Sequence, residues 1–145
     1  MCKVSNKNPL LCPSAQPEMA HAVIFGIVGG SFSEPRVGFV DEPQPVTEEL
    51  LSLPESIQPT EVFRIAAPCA ERQCQHFVVG ACNLARRLVQ ILPTTESQVP
   101  SCSIRRECRW WVQEGKAACL RCPQIVTRTI HPSGALCEAA IPLEG

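Results

Sequence analysis

At 145 residues the chain is long enough to bury one core, while fourteen prolines and eight glycines exclude a long helical bundle in favour of short elements joined by stiff turns. Aromatics make up 5% and tyrosine is absent, so the core must rest on Val, Ile, Leu and Ala. The formal net charge of −1 speaks against a broadly basic, nucleic-acid-binding surface.

Charge is unevenly placed. Residues 1–63 carry three Lys/Arg against eight Asp/Glu, and residues 64–145 carry ten against six, giving halves of −5 and +4. No run approaches the ~18 apolar residues of a membrane span. Residues 1–9 are followed by only two consecutive apolar residues, Leu10 and Leu11, before Cys12 and Pro13, too short a run for a secretory leader, so the expected localisation is cytoplasmic. Thiol buffers in that compartment keep cysteines reduced, which disfavours pairing the ten cysteines as disulfides.

In chain order, residues 1–20 are polar and proline-punctuated. Ala22–Val28, a β-branched and aromatic run ended by Gly29 and Gly30, predicts a buried strand, and Arg36–Val40 a second that forms a hairpin with it. Gly26, Gly29 and Gly30 match neither a dinucleotide fingerprint nor a phosphate loop with its lysine, and read as a structural turn. Val46–Leu53 predicts a short helix with Thr47 as N-cap, closed by Pro54 and Pro59. Thr60–Ala67 alternates imperfectly and predicts a third strand leading to Pro68 and Cys69. Cys82–Leu92 is the clearest helix, with Leu84, Leu88, Ile91 and Leu92 on one face and Arg86 and Arg87 turned away. A further helix is expected over roughly Ile104–Gln113, ended by Gly115, then a helical turn over residues 116–122. The tail from Thr127, with His131, Pro132 and Gly134, reads as irregular.

The expected fold class is therefore α+β. A small sheet from an N-terminal scaffold, residues 1–67, packs with short helices against a cysteine-rich, metal-bound region, residues 68–126, with an irregular tail at 127–145, all in one domain.

The chemistry is carried by cysteine. Cys102, Cys108, Cys119 and Cys122 are separated by five, ten and two intervening residues, in one segment with Trp110, Trp111 and four arginines. Four soft thiolates at that density point to a metal centre. Structural zinc usually takes two short cysteine knuckles, whereas this segment has one close pair, and iron–sulfur clusters accept wider spacing. Arginines nearby suit an anionic cluster. The ending Cys119-Leu120-Arg121-Cys122-Pro123 resembles the cysteine–proline close of bacterial ferredoxin motifs, where proline shields the cluster, although the ferredoxin run of three closely spaced cysteines is missing.

A second set, Cys69, Cys74, His76 and Cys82, lies upstream. His76 completes it as a ligand of the kind Rieske centres use, or serves only as a polar residue, in which case Cys12 is the substitute. Eight ligands are the number that two [4Fe-4S] clusters require, and Cys2 and Cys137 are left as free thiols. The residues outside these sets hold no constellation of nucleophile, base and acid, so the reading leans away from an enzyme. The expectation is an iron–sulfur protein with a redox partner protein and no membrane, acting in electron transfer or as a redox- or oxygen-sensitive switch. The alternative is a zinc-stabilised interaction module contacting a protein or a nucleic acid through Arg105, Arg106 and Arg109.

Overall fold

The computed structural model describes residues 10–30 and 34–125. Cys2, Cys137 and the tail from Thr127 lie outside the described residues. The fold is α+β, a small antiparallel sheet with a few short helices.

Four strands form the main sheet: β1 (Leu11–Cys12), β2 (Val23–Gly30), β3 (Pro35–Pro45) and β4 (Phe63–Pro68), in the order β1-β4-β2-β3. All neighbours are antiparallel. The three expected strands thus share one sheet, and the short segment before Pro13 adds a fourth. β3 runs five residues beyond the expected Val40, to Pro45, because β2 continues to pair with it across a register shift at Phe25.

Alternation along β2 and β4 sends side chains to opposite faces. Ile24, Ile65 and Ala67 bury one face against Ala15 and Ala22 with Val46 and Phe63 at its margin, while Phe25 and Ala66 point to the other, into the larger core. That larger core is built with Cys82, Ala85, Leu88, Leu92, Ile104, Cys108, Trp110 and Ala118 from the cysteine-rich half. Full burial of side chains such as Phe25 or Leu88 stabilises by roughly 1.5–3 kcal/mol each, so the two halves of the chain hold each other.

Gly26 corrects one expectation. It belongs to no turn but pairs in mid-strand with Phe39 and Arg64, where a Cβ would come within 2.8 Å of Val37 and 3.3 Å of the Arg64 Cβ. Gly30 does end the strand in a turn-like conformation, with φ +77° and Glu34 O only 2.5 Å from a would-be Cβ.

The helix expected over Val46–Leu53 is absent. Thr47 Oγ1 accepts from the Leu50 N–H at 3.3 Å, as an N-cap does, but the segment makes one turn only. Apart from Val46 it sits on neither core, so no tertiary packing extends the turn into a helix. A four-residue helix, α1 (Pro59–Val62), precedes β4 instead, with Pro59 in its first turn and Glu61 reaching back to the Gln58 N–H.

After β4 a 3-10 turn (Glu71–Gln73) leads to a tight hairpin, β5 (Phe77–Val78) and β6 (Ala81–Cys82). The expected helix follows as α2 (Asn83–Ile91). The expected helix from Ile104 is split into a 3-10 turn (Arg105–Glu107) and α3 (Arg109–Glu114), with Cys108 extended between them. Gly115, at φ +69°, ends α3, and α4 (Lys116–Cys119) and a 3-10 turn (Cys122–Gln124) complete the described chain. No helix among the described residues is long and apolar enough to cross a membrane.

Candidate metal centre

The eight described cysteines are all unpaired thiols. Four of them, Cys102, Cys108, Cys119 and Cys122, come from one short segment and line one pocket, and the pairing of β1 with β4 brings Cys12 beside Cys69.

In the first group, burial above all raises the pKa of Cys102 and Cys108, and the neighbouring cysteines add to the rise at both. Cys102 stands ahead of a 3-10 turn, Cys108 caps α3, Cys119 closes α4 and Cys122 opens the last 3-10 turn. The reversal at Gly115 brings the later pair back toward the earlier one. The four thiols line one partly open pocket of about 20 Å³ together with Phe25, Phe39, Ile104, Arg105 and Trp110.

Burial pushes the Cys108 thiol up to about 12, against backbone donation from Trp111 and Trp110. It likewise raises Cys102 and Cys119, and Arg105 opposes the rise at both, by a side-chain hydrogen bond at Cys119. Thiols buried this way keep their protons until a cation replaces them.

In the second group, Cys12 and Cys82 are raised first by burial and further by the neighbouring cysteines of the same group. Burial raises Cys12 to about 12 and raises Cys82 too. Backbone N–H groups meet these thiols: Ser14 at Cys12, Leu84 and Ala85 at Cys82 on the first turn of α2, and His76 at Cys74 with 3.4 Å. Cys12 arrives because β1 lies against the end of β4, where Cys12 pairs with Ala67 and the Cys69 N–H donates to Leu10 O at 2.8 Å.

His76 sits beside this group with its imidazole half-buried. Burial lowers its pKa, and its Nδ1 is buried without a hydrogen-bond partner among the described residues. Trp110, 2% exposed, likewise has no acceptor for Nε1–H while lining the first group's cavity. Each unmet buried polar group of this kind costs about 1–3 kcal/mol unless a partner is supplied.

The residue that sequence reasoning missed is Arg64. It is fully buried, projecting from β4 on the same face as Ala66 into the larger core. Nε and Nη2 donate to Pro13 O (3.2 and 2.8 Å), Nη1 to Cys122 O (2.9 Å) and Ile125 O (3.1 Å), and Nη2 also to Cys122 Sγ at 3.2 Å. The Phe25 and Trp110 rings flank it with centroids at 5.1 and 5.8 Å. Its hydrogen bonds end on carbonyls and one sulfur, none on a carboxylate. A buried cation without a counter-ion is costly, and the Cys122 sulfur is the side-chain acceptor among these partners. The one sequence signal was the charged residue that spoils the alternation of Thr60–Ala67.

Two further links join the groups. Leu11 bridges Cys108, so the residue before Cys12 touches the first group. Gln113, on α3, donates to Cys82 O and accepts from the Cys82 N–H, both at 2.8 Å. Of the arginines read as a nucleic-acid surface, Arg105 lies over Trp111 and Arg109 over Phe77, and Arg106 alone is exposed.

Among the described residues no group of three or more His, Cys, Asp or Glu is spaced to hold a single metal ion. Around the pocket the described residues bring together four soft thiols, apolar walls and the Arg105 guanidinium. No family model, curated protein or solved structure matches the chain.

Proposed function

We propose that this chain is a cytoplasmic iron–sulfur protein holding two [4Fe-4S] clusters, one on Cys102, Cys108, Cys119 and Cys122 and one on Cys69, Cys74, Cys82 and Cys12, and that it transfers electrons to or from a partner protein. The observation that supports this reading is the pocket lined by Cys102, Cys108, Cys119 and Cys122, with the buried Arg64 donating to the Cys122 sulfur at 3.2 Å. Cys12 is taken as the fourth ligand of the second group because it is electrostatically coupled to the other three, and His76 becomes a neighbour of that centre.

Such clusters supply one-electron storage when bound. The chain's residues do the rest. The cysteines exchange their protons for iron, Arg64 and Arg105 offset thiolate charge, backbone amides orient Cys12, Cys74 and Cys82, and Phe25, Phe39 and Trp110 limit water around the first group. A zinc module, which usually takes two close cysteine pairs converging on one ion, is the alternative reading.

Anaerobic reconstitution with ferrous iron and sulfide tests the reading. A brown protein with about eight iron and eight sulfide per chain is expected. Cys119→Ser and Cys12→Ser should each lose about half, and His76→Ala should retain iron. A colourless protein with stoichiometric zinc would overturn it.

A further inference from the structure

Among the described residues no three His, Cys, Asp or Glu are spaced to hold a single metal ion, yet a covalent bond between thiols asks for only two sulfurs. Of the four cysteines at the pocket, one pair has its separation set by the backbone itself. Between Cys119 and Cys122 the central residues have φ and ψ of −71° and −13° at Leu120 and −107° and −19° at Arg121, close to those of a type I turn. Such a turn keeps its first and fourth Cα atoms within about 7 Å, and a disulfide takes Cα separations of about 4.4–6.8 Å. Both side chains line the same partly open pocket, and both thiols are partly exposed.

The rest of the chain holds this turn in place. Leu120 O accepts from the Thr95 N–H at 3.0 Å, and the Arg121 guanidinium donates to Leu92 O and Ala117 O, both at 2.7 Å. Cys122 is fixed by buried Arg64, which donates to its carbonyl at 2.9 Å and its Sγ at 3.2 Å. Thiols kept at a fixed spacing meet at a higher effective concentration than the same thiols on a free chain.

We propose that Cys119 and Cys122 form a reversible dithiol–disulfide pair that exchanges with a low-molecular-weight disulfide of the glutathione type. This goes beyond the proposed clusters and needs no iron. The Cys119 sulfur attacks one sulfur of the small disulfide, forming a mixed disulfide and releasing one small thiol. The Cys122 sulfur then attacks Cys119 Sγ, closing the intramolecular bond and releasing the second small thiol. The protein pair loses two electrons and two protons, and the small disulfide gains both in becoming two thiols. Cys119 takes the external step because Arg64 engages the Cys122 sulfur.

The test equilibrates the metal-free full chain with mixtures of reduced and oxidised glutathione, alkylates the remaining thiols and maps the bonds by mass spectrometry. A loss of about two thiols per chain, with a bond joining Cys119 to Cys122, is expected. At fixed free glutathione, the ratio of closed disulfide to Cys119 adduct should be at least about tenfold higher in the native chain than in urea, where nothing holds the turn. Arg121→Met, which removes both guanidinium bonds, should lower the native ratio severalfold, and Cys122→Ser should stop at the Cys119 adduct.

A first bond to Cys102 or Cys108, full retention of thiols in the oxidised mixture, or equal ratios in native and unfolded wild type would overturn the proposal. The comparison of native with unfolded wild type decides it even where a variant fails to fold. Iron and sulfide analysis of the reconstituted chain is a separate measurement, so failure of the cluster reading leaves this result standing.

Discussion

Gln113→Leu isolates the link between the two halves of the candidate site. The Gln113 amide makes paired 2.8 Å hydrogen bonds with the N–H and C=O of Cys82, which is itself 8% exposed and forms the start of α2. Replacing the amide by a side chain of similar volume leaves both backbone groups unmet in a place water reaches poorly. Two hydrogen bonds at about 1 kcal/mol each, with part of the desolvation penalty for the stranded groups, give a loss of about 2–4 kcal/mol. Gln113→Glu keeps the acceptor for the N–H and removes the donor to the carbonyl, so about half that loss is expected. Urea unfolding of the metal-free, reduced chain measures both as a lower midpoint at unchanged slope. On reconstitution, Gln113→Leu should also weaken iron retention at the group containing Cys82 and leave the other group filled. A loss below ~0.5 kcal/mol would show that this clamp is solvated and that α3 does not hold β6, refuting the reasoning.

Two other outcomes follow from local geometry and titration. Val79 is 97% exposed and held at φ +49°, next to Gly80 at +76°, at the tip of the β5–β6 hairpin. A β-branched residue is strained there, so Val79→Asn, which suits a turn with two positive φ values, should stabilise by about 1 kcal/mol in thermal unfolding. The metal-free protein should also weaken at alkaline pH. Folded Cys12 and Cys108 are raised from 9.0 to about 12, so the folded state favours the neutral thiols; their contribution is complete below pH 9.0 and is lost as pH climbs toward 12. Urea midpoints that stay level across that window would contradict the burial of these thiols, and Cys12→Ala should flatten part of the slope.

Local pattern was enough for three strands and one helix. Val23–Gly30 and Asn83–Ile91 follow from β-branched runs and helical periodicity, signals that reside in neighbouring residues. The grouping of Cys102, Cys108, Cys119 and Cys122 was also legible, because one short segment with a reversal at Gly115 contains them all. The Val46–Leu53 segment failed for the opposite reason: its caps and acids suit a helix, but a short helix needs a face to bury and Val46 alone reaches a core. The β5–β6 hairpin was missed because Val79-Gly80 is a poor match to the usual turn pairs.

What the sequence determined by itself is the chemistry available, seven soft thiols between residues 69 and 122 and an arginine-rich half, together with the elements whose signals are local. Only the tertiary structure decided the partnership of Cys12 with residues 69–82, since that depends on β1 adding to the far edge of β4 across more than fifty residues of chain. It alone decided that Arg64 lies inward. A lone arginine in a strand reads as a solvated side chain, and its burial becomes tolerable only once carbonyls from Pro13, Cys122 and Ile125 and the sulfur of Cys122 converge on it. No pattern along the chain encodes that convergence, because each partner comes from a different segment.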